Sequence, residues 1–182
     1  MTANRSSAKP VPGDRQPVRI TSSSHLAASG QPELSELEFG LIVAGNAFAR
    51  WLVRCMTAAG QPDLAHTDIL VLHHVHHRER SKKLADICFT LNYEDTHVVS
   101  YALKKMSAMG LVSGEKIGKE VFYATTDAGR ELVERYRQVR DECLLPALSG
   151  ELADSSRLTD IAQTLRALSG LYDQAARGAA SL

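Results

Sequence analysis

The sequence predicts a mainly α-helical fold with one small β-hairpin, and three observations carry that prediction. Apolar residues recur at spacings of three and four over most of the chain from residue 33 onward. That period gives way to strand-like runs only between residues 111 and 125. Gly110 and Gly118 stand where the period changes and where the chain must reverse.

Each element follows in turn. Residues 1–32 are rich in Ser, Pro and Gly, carry Arg5, Lys9, Arg15 and Arg19 against the single acid Asp14, and show no hydrophobic period. Such a composition buries too little apolar surface to offset the entropy of ordering, so a disordered, mildly basic arm is expected, more plausibly a solvated tail than a ligand for a phosphate backbone. From Glu33 to Ala59 one long helix is expected, with Leu34, Leu37, Leu41, Ala44, Phe48, Trp51 and Cys55 on one stripe and Ile42, Ala49, Leu52, Val53 and Met56 on a second. A helix apolar on two sides needs partners on both, which points to its own domain and a second subunit, a buried core helix being the alternative. Gly60, Pro62 and Asp63 end it.

A second helix is expected from His66 to His77, burying Ile69, Leu70, Leu72 and Val75. Ser81 offers an N-cap for a short helix over Lys82–Phe89, with Leu84, Ala85 and Ile87 inward, and Thr90 and Leu91 make a tight connection. Asn92 is expected to cap the next helix, with Asp95 as its reciprocal partner, and Gly110 stops that helix after Met109. Strands over 111–116 and 120–125 flank a turn of Ile117, Gly118 and Lys119. Thr126 then caps a helix from Asp127 to Leu145, and a last amphipathic helix over Ser156–Ala176 carries Leu158, Ile161, Leu165, Leu168 and Leu171. Two helices joined by a tight turn and followed by a hairpin form a winged helix-turn-helix, here over residues 65–126, between long helical segments at 33–60 and 127–182.

The helix from Asn92 to Met109 divides into two faces. Val99, Ala102, Leu103 and Met106 form the core stripe, while His97, Ser100, Tyr101 and Lys104 line up opposite them at i, i+3, i+4 and i+7. Imidazole, hydroxyl, phenol and ammonium groups in that line are able to meet base edges and phosphates of duplex DNA. Thr96 extends this face, and Lys82, Lys83, Lys105, Lys116 and Lys119 surround it. Any amphipathic helix has a polar outer face, so the neighbouring lysines matter. Between His73 and Tyr123 eight Lys or Arg stand against six Asp or Glu, a local excess of two, and Glu94 and Asp95 lie close to the proposed surface.

The whole chain has 182 residues, 44% hydrophobic and 23% charged, enough for one well-formed core. Its 21 Lys plus Arg balance 21 Asp plus Glu, so bulk charge does not announce a nucleic-acid partner. Cys55, Cys88 and Cys143 are odd in number and far apart, which argues against a disulfide framework and for a reducing compartment, the cytoplasm. The reading further expects no uninterrupted apolar run of membrane-spanning length and no secretory signal near Met1.

The run LADICFTLNYEDTHVVSYALKKMSAMGLVSGEKIGKEVFYATTDAGREL resembles the winged-helix core of the MarR family of bacterial transcription regulators. The matching signatures are Leu84 to Ile87, Gly110 to Val112, the hairpin Glu115 to Thr125, and the Thr-x-x-Gly helix start of Thr126 to Gly129. The resemblance implies a homodimer formed through the dimerisation helices at 33–60 and 127–182, sitting on a pseudo-palindromic operator, and a repressor released by a small-molecule effector; no cofactor is expected. It also implies an effector pocket between the dimerisation helices and the DNA-binding lobe, for which Trp51, Arg54, His73 and Tyr136 are the candidates. The wing departs from the family in being short and in lacking the Asp-x-Arg element, offering only Lys116 and Lys119, so PadR-like and ArsR-like winged helices stay open.

Other features of the sequence point elsewhere. His73 and His77 fall four apart on one helical face and would suit two zinc ligands in a metal-sensing regulator, but the pattern lacks the Glu of a His-Glu-x-x-His motif, and histidines also favour helix C-termini. Cys55 or Cys88 as a redox switch competes with buried structural cysteine, since both lie on apolar stripes. No nucleophile elbow, phosphate loop or dinucleotide fingerprint is present, so an enzyme is not expected. A winged helix serving protein interaction without DNA is the alternative of a different class.

Overall fold

The computed structural model describes residues 32–182, apart from the side chains of Glu79 and Glu151. The expected basic arm therefore lies outside the described residues. The chain divides into two units, residues 1–48 and 49–182. The first helix, α1 (Pro32–Ala58), crosses that boundary. Its portion within the first unit exposes Leu34, Leu37, Ile42, Val43 and Phe48 to solvent. Its portion within the second unit does the opposite, burying Leu52, Cys55 and Met56 in a core that continues into Ala59 and Leu64. By length and composition α1 is apolar enough to cross a membrane, which a count of uninterrupted apolar runs did not flag. In the second unit that apolar character is explained by burial in the core.

The second unit contains α2 (His66–His76), a two-residue strand β1 (Lys82–Lys83), α3 (Leu84–Leu91), α4 (Thr96–Ala108), β2 (Val112–Ile117), β3 (Glu120–Thr125), α5 (Asp127–Cys143) and α6 (Ser155–Ala179). The three strands form an antiparallel sheet in the order β1-β3-β2. Lys82 faces Tyr123, Lys83 faces Phe122, and the β2–β3 ladder runs from Val112 opposite Thr125 to Ile117 opposite Glu120. The hairpin therefore closes through two residues, Gly118 and Lys119, with Gly118 at φ +63°, where a side chain would be strained. A core of Ile69, Val71, Leu72, Val75, Ile87, Val99, Leu103, Met106, Leu132 and Val133 holds the helices together.

Several local expectations change. Ser81 caps no helix, because Lys82 and Lys83 pair with β3 as a third strand and α3 starts only at Leu84. Thr90 and Leu91 belong to α3 rather than to a connection. Asn92 is the left-handed C-cap of α3, at φ +55°, a conformation its short polar side chain tolerates. The cap of α4 is Asp95, whose carboxylate accepts from the His97 N–H at 2.8 Å. On α2, Val71 is buried where Leu70 was expected, and Leu70 is half-buried. On α3, Cys88 is buried and Ala85 is exposed. His77 falls beyond the end of α2, in a tight turn in which Arg78 adopts φ +62°.

The joint between the sheet and α5 is closely built. The Thr126 hydroxyl donates to the Gly110 carbonyl at 2.7 Å and accepts from the Gly129 N–H at 3.1 Å, while the Thr126 N–H donates to the Leu111 carbonyl at 3.1 Å. A Cβ on Gly129 would lie 2.1 Å from that Leu111 oxygen, so only glycine fits.

Candidate nucleic-acid interface

Helix α4 carries the site. Its inward face, Val99, Ala102, Leu103 and Met106, is buried to within 1% of complete enclosure. Its outward face is open: Tyr101 is 72% exposed, Thr96, His97 and Lys104 are exposed, and Ser100 is half-buried. The two faces that the sequence separated are thus separated in the fold. Asp95, an acid placed awkwardly near the candidate DNA surface, has its structural cause in capping this helix, where a carboxylate also complements the helix dipole. An open groove of about 430 Å³ runs beside this face, lined by Ala65 and Thr67 at the start of α2 and by His97, Val98 and Tyr101 on α4.

The six candidate lysines do not share one role. Lys82 turns inward, its ammonium donating to the carbonyls of Val75, Arg80 and His77 at 2.9, 2.9 and 2.6 Å, and desolvation pulls its pKa down. It satisfies carbonyls at the end of α2, which the macrodipole makes favourable for a cation. Lys105 is also held internally, 2.7 Å from the buried Asp68 carboxylate and bonded to the Asp63 carbonyl. Asp68 in turn accepts from the Ala65 N–H at 2.9 Å, so this ion pair ties the start of α2 to α4. The expectation that Lys82 and Lys105 face DNA therefore meets ammonium groups already engaged by the fold. Lys83 pairs with Glu120 at 2.6 Å over the Phe122 ring, and that hydrogen bond raises its pKa. Lys104, Lys116 and Lys119 have no ion-pair partner among the described residues.

Sequence reasoning missed the anchoring of the turn between α3 and α4. The Tyr93 hydroxyl donates to Thr67 Oγ1 at 3.2 Å, and the Asn92 amide donates to Ser169 and Asp173 on α6 at 3.2 to 3.4 Å. These contacts join residues far apart in the chain, and no spacing rule announces them.

The effector-pocket candidates are only partly brought together. His73 and Tyr136 meet edge to face with ring centroids 4.5 Å apart. His73 Nε2 is enclosed without a hydrogen-bond partner among the described residues, and desolvation, with smaller contributions from His76 and Arg137, lowers its pKa to about 4. Burial raises the Tyr136 pKa to about 12. Trp51 packs against the core. Arg54 is exposed instead, lining a shallow depression of about 370 Å³ with Arg50, Val53 and His66. Among the described residues no three His, Cys, Asp or Glu side chains converge as metal ligands, so the pairing of His73 with His77 gains no support. Cys55 and Cys88 are buried, and burial raises both thiol pKa values.

A family model described as a winged helix DNA-binding domain matches residues 64–129. A solved MarR family regulator from Neisseria meningitidis superposes with a TM-score of 0.59 at 18% identity, over 79% of this chain and 95% of its own. The chain has the MarR-type winged-helix fold. A mutant MarR from E. coli, complexed with operator DNA, has a TM-score of 0.60 at 14% identity over 78% of this chain and 99% of its own. BpsR of Bordetella bronchiseptica, whose DNA binding is described as regulated by 6-hydroxynicotinic acid, has a TM-score of 0.52 at 18% identity over 70% of this chain and 91% of its own. No curated protein matches the sequence. The MarR-type fold accounts for the order of helices and hairpin, and the third strand missed in the sequence belongs to this three-stranded sheet.

Proposed function

We propose that the chain is a cytoplasmic MarR-type transcription regulator that binds a pseudo-palindromic operator as a homodimer and represses until a small molecule releases it. The observation that carries this reading is the two-sided α4, with Tyr101 72% exposed above a fully enclosed row of Val99, Leu103 and Met106. His97, Ser100, Tyr101 and Lys104 would read base edges in the major groove, while Thr96, Lys116 and Lys119 would contact phosphates from the helix start and the wing. Two copies of α4 must then stand about 34 Å apart to enter successive grooves.

The exposed apolar residues of α1 and α6 support a dimer, since a second copy would cover them. The E. coli MarR bound to operator DNA supports the DNA reading, and the regulation of BpsR by 6-hydroxynicotinic acid supports an effector. The stacked His73 and Tyr136, with Trp51 and Arg54, remain our choice for an effector site.

Footprinting on duplex DNA flanking the protein's own gene, repeated over a salt series, tests the reading. Affinity should fall steeply with salt as neutralised phosphates regain counterions. Tyr101→Ala should weaken operator binding by about 10-fold or more at unchanged melting temperature and dimerisation. Absence of duplex binding at low salt would reject this reading and favour a protein-interaction module, for which the 88% exposed Phe89 on α3 is a ready contact.

A further inference from the structure

A pocket unrelated to the outward face of α4 lies where α2 ends, β3 ends and α5 begins. Val75, Arg80, Ala124, Thr125 and Arg130 line it, and its volume is about 250 Å³. Two guanidinium groups on one small pocket would repel each other without compensation. Arg130 is compensated by an ion pair with Asp127, and its Nη1 donates to the Thr125 carbonyl at 2.8 Å. Arg80 has no carboxylate partner among the described residues. With five donors on each guanidinium, Arg130 keeps donors to spare and Arg80 has all of its own.

The walls are held in place independently of any ligand. The Lys82 ammonium, bonded to the carbonyls of Val75, His77 and Arg80, fixes the turn that presents Arg80. Arg78 takes a left-handed conformation in that turn, which few non-glycine residues adopt. Across the pocket, the mostly buried Thr125 is tied to His76 through Nδ1 and Oγ1 at 3.4 Å. Two guanidinium groups beside one pocket suit carboxylate and phosphate oxygens, which such forks recognise in bidentate fashion; Arg130 is held by its own bonds and the turn that carries Arg80 by Lys82. The volume lies below the roughly 300–1,000 Å³ usual for drug-sized ligands, which suits a small anion.

We infer that this pocket binds a small oxyanion, a phosphate or carboxylate group, between Arg80 and Arg130. The bound anion would bridge the segment before β1 to the first turn of α5, replacing the repulsion between two cations with a shared partner.

The test uses the full chain without DNA. Thermal unfolding is followed in millimolar sodium phosphate, sodium benzoate or sodium chloride at matched ionic strength and neutral pH. Phosphate stabilises most folds by exclusion from their surfaces, so the readout is the difference between the native chain and Arg80→Ala. A rise of a few degrees in phosphate or benzoate above chloride, lost in Arg80→Ala and partly kept in Arg80→Lys, is expected, and the anion that produces it identifies the source. Among the described residues the Arg80 side chain makes no bond, and only its backbone carbonyl meets Lys82, so the Arg80→Ala chain is expected to keep its turn. An equal rise in Arg80→Ala, or no rise above chloride with either anion, overturns the assignment. Since no DNA is present, either result leaves the regulator reading untouched.

Discussion

Helices α4 and α6 are both amphipathic, with apolar residues repeating at three and four, yet the second unit treats them differently. On α4 the apolar stripe is enclosed and the polar stripe faces water. On α6 no residue is buried, and Leu158, Ile161, Leu165 and Leu171 are 38% to 61% exposed. The difference teaches that an apolar stripe reports a need for a partner without saying where the partner lies. The core answers that need for α4, and a second copy would answer it for α6.

The comparison can be broken first at the core side. Gly129→Ala should cost more than about 3 kcal/mol, because the new Cβ meets the Leu111 carbonyl oxygen at 2.1 Å and neither backbone segment can yield without breaking the Thr126 cap. Urea unfolding measures it, and a loss below about 1 kcal/mol would show that the joint relaxes.

Acid should act on the same core more gently. The His73 ring has a folded-state pKa of about 4 against 6.5 when unfolded, so the unfolded chain takes up the proton first. Stability is then fully present above pH 6.5 and is lost as the pH falls toward 4, by about 2–3 kcal/mol in all. His73→Leu should flatten most of that slope, leaving the smaller part from His74, whose pKa burial also lowers. A profile identical in His73→Leu would remove His73 from the account.

The smallest effect on the fold is expected on α6. Leu165→Glu should change unfolding of the core by less than about 0.5 kcal/mol, as suits an exposed position, while sedimentation should show the proposed dimer dissociating. Unchanged association would mean that the stripe is covered by something other than a second copy.

Much of this was readable beforehand because α4 obeys its period: each of its four core residues is enclosed, and of the outward residues His97, Tyr101 and Lys104 are exposed while Ser100 is half-buried. Asn92 and Lys82 were misplaced for physical reasons. Asn suits a left-handed C-cap as well as an N-cap, and the neighbouring Asp95 was the better acceptor for α4. The Lys82–Lys83 pair has no period to display, and only its pairing with Phe122 and Tyr123 makes it a strand. The inward turn of Lys82 and Lys105 depends on carbonyls and a carboxylate brought close by tertiary packing, so composition counted both as free charge. The Arg80 and Arg130 pocket escaped for the same reason, its two arginines being fifty residues apart.

The seam at Gly110, Leu111, Thr126 and Gly129 has a mechanical meaning. The last carbonyls after α4 and the first N–H groups of α5 are riveted through one threonine, with a glycine pressed against the rivet. A lever needs a stiff elbow, and these bonds leave this one little slack, so a tilt of α5 would be handed to α4 instead of being absorbed between them.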